Sequence, residues 1–178
     1  MIRVVSYDPH WPHRFAELGS GLREVLGDVA LRIDHIGSTA VTGLAAKPVI
    51  DIQISVAALE PAGPFAVPLQ QLGYRYRANN PERTKRYFRE PPGTPRTHVH
   101  VRRAGSFSEQ FPLLLRGYLR THAGDADAYG QLKQRLAGQF PDDRAAYADA
   151  KVPFFWELIR RADDWAQETG WEPGPSDA

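Results

Sequence analysis

The sequence predicts an α+β fold, in which a mixed β-sheet flanked by helices is followed by a C-terminal helical part. Polar and apolar residues alternate in Val49–Val56 and in Thr97–Arg103, which is typical of strands. After Gly105-Ser106 only helical spacing of apolar residues is found. The 178 residues, of which 42% are hydrophobic and 24% charged, have the size and composition of one globular domain.

The N-terminal part, residues 1–104, is predicted to hold the sheet. Apolar residues at helical spacing predict a first helix over residues 10–27, which Gly27-Asp28 ends. A short helix over Phe65–Leu72 ends at Gly73. The predicted strands cover residues 30–36, Val49–Val56, Tyr74–Arg77, Arg86–Arg89 and Thr97–Arg103, with the third and fourth paired.

Residues 105–169 are predicted to form about three helices packed on the sheet, and residues 170–178 a flexible tail. The helices are indicated by apolar residues three or four apart, from Phe107 to Leu119, from Tyr129 to Phe140, and from Tyr147 to Trp165. Pro153 is expected to kink the third helix or to lie late in its first turn. The tail is rich in Gly, Pro, Ser and Asp, which favours fraying.

Composition excludes several classes of protein. There is no cysteine, so a disulfide framework, a thiolate zinc site and a cysteine nucleophile are excluded. Walker A, dinucleotide-binding and G-x-S-x-G patterns are also absent. Because no apolar run suits a signal peptide or a membrane span, we expect a cytoplasmic protein without a membrane partner.

Gly37-Ser38 and Asp51 form the first candidate site. A Gly-Ser turn after one strand can present backbone N–H groups and a hydroxyl to a phosphate, and Asp51 on the next strand can hold a divalent cation against it. Lys47 lies between them and can add positive charge. On spacing alone, a β-turn with a surface aspartate is the commoner explanation.

His98-Val99-His100 is the second candidate. Residues two apart on a strand face the same side, so both imidazoles could bind one metal ion or flank a phosphate. The alternative is simply a polar face of the sheet. The metal interpretation requires this strand to lie beside Asp51.

Charge is unevenly distributed along the chain. Residues 75–103 contain nine basic and two acidic residues, a net of +7, with aromatic residues between them. Because the whole chain carries only +1, the remainder carries −6. Such a segment can bind polyphosphate or RNA, although a solvated pair of strands has a similar composition.

Tyr147 and Lys151 lie four apart on one face of a predicted helix. They could reach across a cleft to a phosphate or a nucleobase. The alternative is a packed tyrosine beside a solvated lysine.

The run His35–Ile52, HIGSTAVTGLAAKPVIDI, resembles the hallmark of the GrpB-like family. The resemblance continues, in the expected order, through Pro95–Val101, Tyr118–Arg120 and Tyr147–Phe154, and extends to about residue 165. That family is grouped with the polymerase-β-type nucleotidyltransferases. The resemblance therefore implies a nucleotidyltransferase-like mixed sheet flanked by helices and followed by a helical part.

The resemblance also implies roles for individual residues. Gly37 and Ser38 match the turn that holds a nucleoside triphosphate, and Asp51 matches the first metal-binding carboxylate. The position of the second carboxylate is Gln53, a poor Mg²⁺ ligand. His98 or His100 is in the place of a later carboxylate and suits Zn²⁺ or Mn²⁺ better than Mg²⁺.

These observations lead to three hypotheses of function. The first is transfer of a nucleotidyl group to an unidentified acceptor, with Asp51 and His98 or His100 holding a divalent metal (Mg, Mn or Zn) and Lys47, Arg86 and Lys151 contacting phosphates. The second is a non-catalytic module of the same fold that binds a nucleotide, a coenzyme A-like ligand or RNA. The third is a metal-dependent enzyme of another class. The sequence predicts neither the acceptor nor the oligomeric state.

Overall fold

The computed structural model describes residues 1–178 and has the predicted α+β architecture. Five strands form one mixed sheet in the order β1-β2-β5-β4-β3. The β2–β5 pair is parallel and the other pairs are antiparallel. The strands are β1 Arg32–Ile36, β2 Ile50–Val56, β3 Arg75–Tyr76, β4 Lys85–Arg89 and β5 Thr97–Arg103. The helices are α1 Trp11–Leu26, α2 Gly63–Gln71, α3 Phe107–Thr121, α4 Ala123–Gln139 and α5 Arg144–Thr169.

One face of the sheet carries the main core against α1 and α2. Helix α1 buries Trp11, Phe15, Leu22 and Leu26, which recur at helical spacing and so lie on one side of the helix. They pack on alternate apolar residues of the central strands. The members from the strands are Ile33, Ile50, Ile52, Ile54, Val56, Phe88, Val99 and Val101.

A second core joins the C-terminal helices to the segment after β1. Val41 and Leu44 from that segment pack with Tyr118 of α3, Tyr129 of α4 and Leu158 of α5. The three helices are therefore fixed to the chain that leaves the Gly37-Ser38 turn. Helix α5 begins well before Pro153, so this proline lies in the helix interior and not in its first turn. No helix is both long enough and apolar enough to cross a membrane.

The last residues differ from the expected frayed tail. They run along the free edge of β1, where the backbone N–H of Asp177 donates to the Ile33 carbonyl. The Asp177 carboxylate accepts from the His35 N–H at 2.9 Å and pairs with the buried Arg116. These contacts satisfy edge groups that would otherwise be unpaired. Composition gave no sign of them, because they depend on distant partners.

Candidate functional site

The second face of the sheet is polar and faces the C-terminal helices. The register places Asp51 of β2 beside His98 of β5, and Gln53 beside His100. Because side chains alternate along a strand, these four point away from the apolar core. The parallel pairing of β2 and β5 brings together two motifs that are separated by more than forty residues in the chain.

The Gly37-Ser38 turn lies directly against Asp51. Gly37 has a φ of 73°, which is favourable only for glycine, and a Cβ there would lie 2.8 Å from Asp51 Oδ2. Glycine is therefore required twice, by the backbone conformation and by the close approach of the carboxylate. The turn that follows, Ser38–Ala40, is a short 3-10 helix.

Two buried side chains hold this turn in place. Thr39 donates its hydroxyl proton to the Val49 carbonyl at 3.0 Å, and His35 Nε2 lies 3.0 Å from the same hydroxyl oxygen. The His35 ring stacks on Phe15 at 4.9 Å. Burial lowers the pKa of His35 to about 4, so its imidazole is neutral near pH 7. The turn is thus linked to both neighbouring strands.

Asp51, His98 and His100 form a three-residue cluster. Asp51 Oδ1 lies 3.0 Å from His98 Nδ1 and 3.4 Å from His100 Nε2. Burial alone would raise the pKa of Asp51, but hydrogen bonds from His100 and His98 lower it well below its usual range. Burial lowers the pKa of His100, although Asp51 opposes this shift.

The cluster has the donor set of a divalent-cation site. One ligand atom from each of its three side chains lies within 4.8 Å of the others. The remaining ring nitrogens, His98 Nε2 and His100 Nδ1, are buried without a hydrogen-bond partner, so the pairs with Asp51 leave the imidazoles incompletely satisfied. Two imidazoles and one carboxylate suit Zn²⁺ or Mn²⁺.

Gln53 does not join this cluster. Its side chain is completely buried, and its Nε2 donates to the Glu109 carbonyl of α3 at 3.0 Å. The amide therefore fastens α3 to the sheet. Position 53 therefore provides no second metal-binding carboxylate, because its side chain is an amide and is bonded to α3.

Three lysines lie near Ser38 and Asp51 and line a cavity with them. Lys47 and Lys151 lie 4.1 and 4.6 Å from the centre of the Tyr147 ring. Lys133 of α4 is buried, lies over Tyr129, and donates to Ser38 Oγ at 2.8 Å. Together they line a polar cavity of about 170 Å³ that also reaches Asp51 and His98. None of the three lysines has a carboxylate partner within salt-bridge distance.

The electrostatics of this lysine pocket favour an anion. Burial, together with the charges of Lys151 and Lys47, lowers the pKa of Lys133 to about 7. Burial also lowers the pKa of Lys47 and of Lys151, and neighbouring cations add to the effect at Lys47. An anionic ligand would supply the missing negative charge and favour the protonated forms.

Lys133 was not predicted as a site residue, although the sequence contains a pattern that indicates it. Tyr129 and Lys133 repeat the spacing of Tyr147 and Lys151, four residues apart on a helix. Helical spacing identifies Tyr129 only as part of the apolar pattern of its helix, and the structure places it in both the second core and the cavity. Tyr87 was likewise missed as a neighbour of the cluster, since its ring lies 5.2 Å from that of His100.

The structure places Arg86 away from the site at which the sequence predicted it to contact phosphate. It is paired in register with Val101, whose side chain belongs to the apolar core, so Arg86 lies on the face opposite Asp51. Its guanidinium binds Glu60 at 2.6 Å. The alternation of β4 instead directs Lys85, Tyr87 and Arg89 to the face of the cluster. The predicted phosphate contact from Arg86 is therefore wrong for this site.

A family model described as GrpB protein matches residues 1–161. The chain belongs to the GrpB family. The UPF0157 protein PA4798 of Pseudomonas aeruginosa is 39% identical over 169 residues, which are 90% of this chain and 67% of that protein. A dephospho-CoA kinase of Mycobacterium tuberculosis is 34% identical over 197 residues and 96% of this chain. This chain spans only 48% of that kinase.

Solved structures place this GrpB chain among nucleotidyltransferase-like folds. The crystal structure of GrpB from Enterococcus faecalis has a TM-score of 0.83 and 32% identity, and the match covers 92% of this chain and 99% of that one. The Cid1 poly(U) polymerase with MgGTP bound has a TM-score of 0.56 and 15% identity, over 82% of this chain and 50% of that one. The second likeness concerns the fold alone.

Proposed function

We propose that this protein binds a nucleoside triphosphate and a divalent cation and transfers the nucleotidyl group to a small acceptor. The observation that carries the proposal is the position of the lysine pocket. Three cations without acidic partners meet the Gly37-Ser38 turn and the Asp51–His98–His100 cluster at one place. Phosphates in the pocket and a metal at the cluster would lie next to each other.

The side chains have distinct roles in this proposal. Ser38 and the backbone after Gly37 bind phosphate oxygens, and Lys47, Lys133 and Lys151 neutralise the pyrophosphate that leaves. Tyr147 holds two of these ammonium groups over its ring. Asp51, His98 and His100 would hold a divalent cation, which neutralises charge at the reacting phosphate when bound.

The cluster favours a single metal ion. Gln53 occupies the position of a second carboxylate and is bonded to the backbone of α3. Mn²⁺ and Zn²⁺ fit the two imidazoles better than Mg²⁺, which prefers oxygen ligands.

A second candidate is a binding module of the same fold without catalysis. The absence of a second carboxylate favours it, and the dephospho-CoA kinase relative suggests coenzyme A as a further ligand to be tried. RNA has less support, because four of the nine basic side chains in residues 75–103 are paired with Glu60, Glu82 or Glu90. A metal-dependent enzyme of another class would retain the metal without binding nucleotides.

Calorimetric titration with each nucleoside triphosphate and with coenzyme A, with and without Mn²⁺, tests the proposal. We expect Lys151→Ala to weaken nucleotide binding at least about tenfold, because it removes a phosphate contact of roughly 1.4 kcal/mol or more. Asp51→Asn should abolish the Mn²⁺ enhancement. Arg77→Ala, which removes an equal charge from an exposed position, is the matched control.

Release of pyrophosphate in the presence of candidate acceptors then separates catalysis from binding alone. Nucleotide binding that is the same in the wild type and in the Lys151 variant would overturn the proposal. Tight nucleotide binding without any turnover would favour the binding module.

A further inference from the structure

A second cavity also reaches Asp51 and lies between the polar sheet face and helices α3 and α5. It has a volume of about 550 Å³, within the range of small-molecule sites. Three phenylalanine rings line it, with Phe111 lying 5.6 Å from Phe107 and 5.8 Å from Phe155. Phe107 is 80% exposed, so part of this apolar lining faces solvent. The remaining apolar lining includes Ile36, Val41, Leu115 and Leu119.

This α3–α5 cavity offers no free charge beyond Asp51. Glu82 binds Lys85 at 2.6 Å and lies 3.7 Å from Arg102. Arg116 is paired with Asp34 and with Asp177. Every charged group of this lining other than Asp51 therefore has an oppositely charged partner, with Arg102 sharing Glu82 with Lys85, whereas the lysines of the lysine pocket have none. A ligand of the α3–α5 cavity is therefore expected to be uncharged, because a buried unpaired charge is costly.

The two cavities share only Ser38, Asp51 and Tyr129 and are otherwise lined by different residues. In phosphoryl and nucleotidyl transfer, the attacking and leaving groups lie roughly in line on opposite sides of phosphorus. If pyrophosphate leaves into the lysine pocket, the attacking group enters from the side that remains open. That side is the α3–α5 cavity.

We propose that the acceptor is an uncharged, largely apolar alcohol, aromatic or branched, that binds in the α3–α5 cavity. This inference rests on the proposed function. The acceptor oxygen forms a bond to the α-phosphorus, the bond from that phosphorus to the α,β-bridging oxygen breaks, and pyrophosphate leaves with the bond's electron pair. The acceptor's proton passes to solvent water. The phenylalanine rings contact the apolar body of the acceptor, and its reactive group lies at Asp51.

Fluorescence titration with N-phenyl-1-naphthylamine, an uncharged apolar dye, tests the cavity without requiring turnover. We expect saturable binding that Phe155→Asp weakens at least tenfold. Trp156→Asp is the matched control, because Trp156 is the next residue on α5, is 60% exposed and does not line the cavity. Leu115→Trp, which fills the cavity with apolar atoms, should weaken the dye without adding charge. Equal dye affinity in the wild type and in both cavity variants would overturn the proposal.

A second titration identifies which substrate occupies the cavity. With the nucleoside triphosphate and Mn²⁺ present at saturation, the dye should remain bound, giving a ternary complex. Displacement of the dye would assign the cavity to the nucleoside of the donor and overturn the assignment to an acceptor. Lys151→Ala should weaken nucleotide binding and leave dye binding intact, because Lys151 lines only the lysine pocket. Unchanged nucleotide binding in this variant contradicts the proposed function, whereas dye binding that is lost together with nucleotide binding contradicts this inference.

Discussion

Lys133 is buried, although lysine side chains are mostly exposed to solvent. Its ammonium is buried between Tyr129 and Ser38 and faces two further cations, Lys47 and Lys151. Burial and these like charges both disfavour the protonated form. A lysine that is charged only in part near pH 7 can respond to a phosphate by taking up a proton.

Anion binding in the lysine pocket should therefore weaken as the pH rises. The protonated form of Lys133 binds the anion, and with a pKa of about 7 it is mostly protonated at pH 6 and mostly neutral at pH 8. We expect the affinity for sulfate, whose charge is constant over this range, to fall about tenfold between these pH values. Calorimetry at several pH values measures it.

Lys133→Gln is the control for this prediction. The variant should bind sulfate more weakly at pH 6, because it lacks the ammonium of Lys133, and the remaining affinity comes from Lys47 and Lys151. Its affinity should depend much less on pH, because the group that titrates near pH 7 is gone. A wild-type slope that persists unchanged in the variant would assign the titration to another group.

At the level of elements, α5 connects the two cavities. Tyr147 and Lys151 near its start line the lysine pocket, and Phe155 one turn later lines the α3–α5 cavity. The helix begins at a cap in which the Asp143 carboxylate accepts from the Ala146 N–H at 2.9 Å. The cap thus fixes the start of the helix that carries Tyr147 and Lys151.

Asp143→Ala should lower the free energy of unfolding by about 1 kcal/mol, because the N–H of Ala146 loses its partner. Urea denaturation measures this loss. Asp149→Ala removes the same side chain from an exposed position inside α5 and should have little effect. Similar losses in the two variants would show that the cap contributes nothing.

At the level of the whole molecule, the sheet face and three helices enclose the two cavities that meet at Asp51, and the tail lies along the free edge of β1. Arg116 of α3 binds the His35 carbonyl, Asp34 of β1 and Asp177 of the tail. One buried guanidinium therefore joins three parts of the chain.

The net charge of +1 is an average over unlike segments. Basic residues cluster in 75–103, and glutamates within and outside this segment partly compensate them.

Asp177→Asn should destabilise the fold by about 2 kcal/mol, because it leaves the buried Arg116 with one charged partner fewer. Asp164→Asn makes the same change in the exposed pair with Arg160 and should cost less than about 1 kcal/mol. Urea denaturation compares the two. If the tail is bound as described, hydrogen exchange at the Ile33 and His35 amides should also accelerate in the Asp177 variant; unchanged exchange and stability would contradict the tail contact.

The five strands, the C-terminal helices and the family could be predicted from the sequence, because alternation, helical spacing and the HIGSTAVTGLAAKPVIDI run are local patterns. The sequence also predicted that Asp51 needs His98 and His100 beside it, but not that β2 and β5 are neighbours. Four features could be seen only in the folded chain: the pairing of β2 with β5, the burial of Lys133, the orientation of Arg86 away from Asp51, and the docking of the tail. Each depends on contacts between residues far apart in the chain, and local propensities carry no information about such contacts.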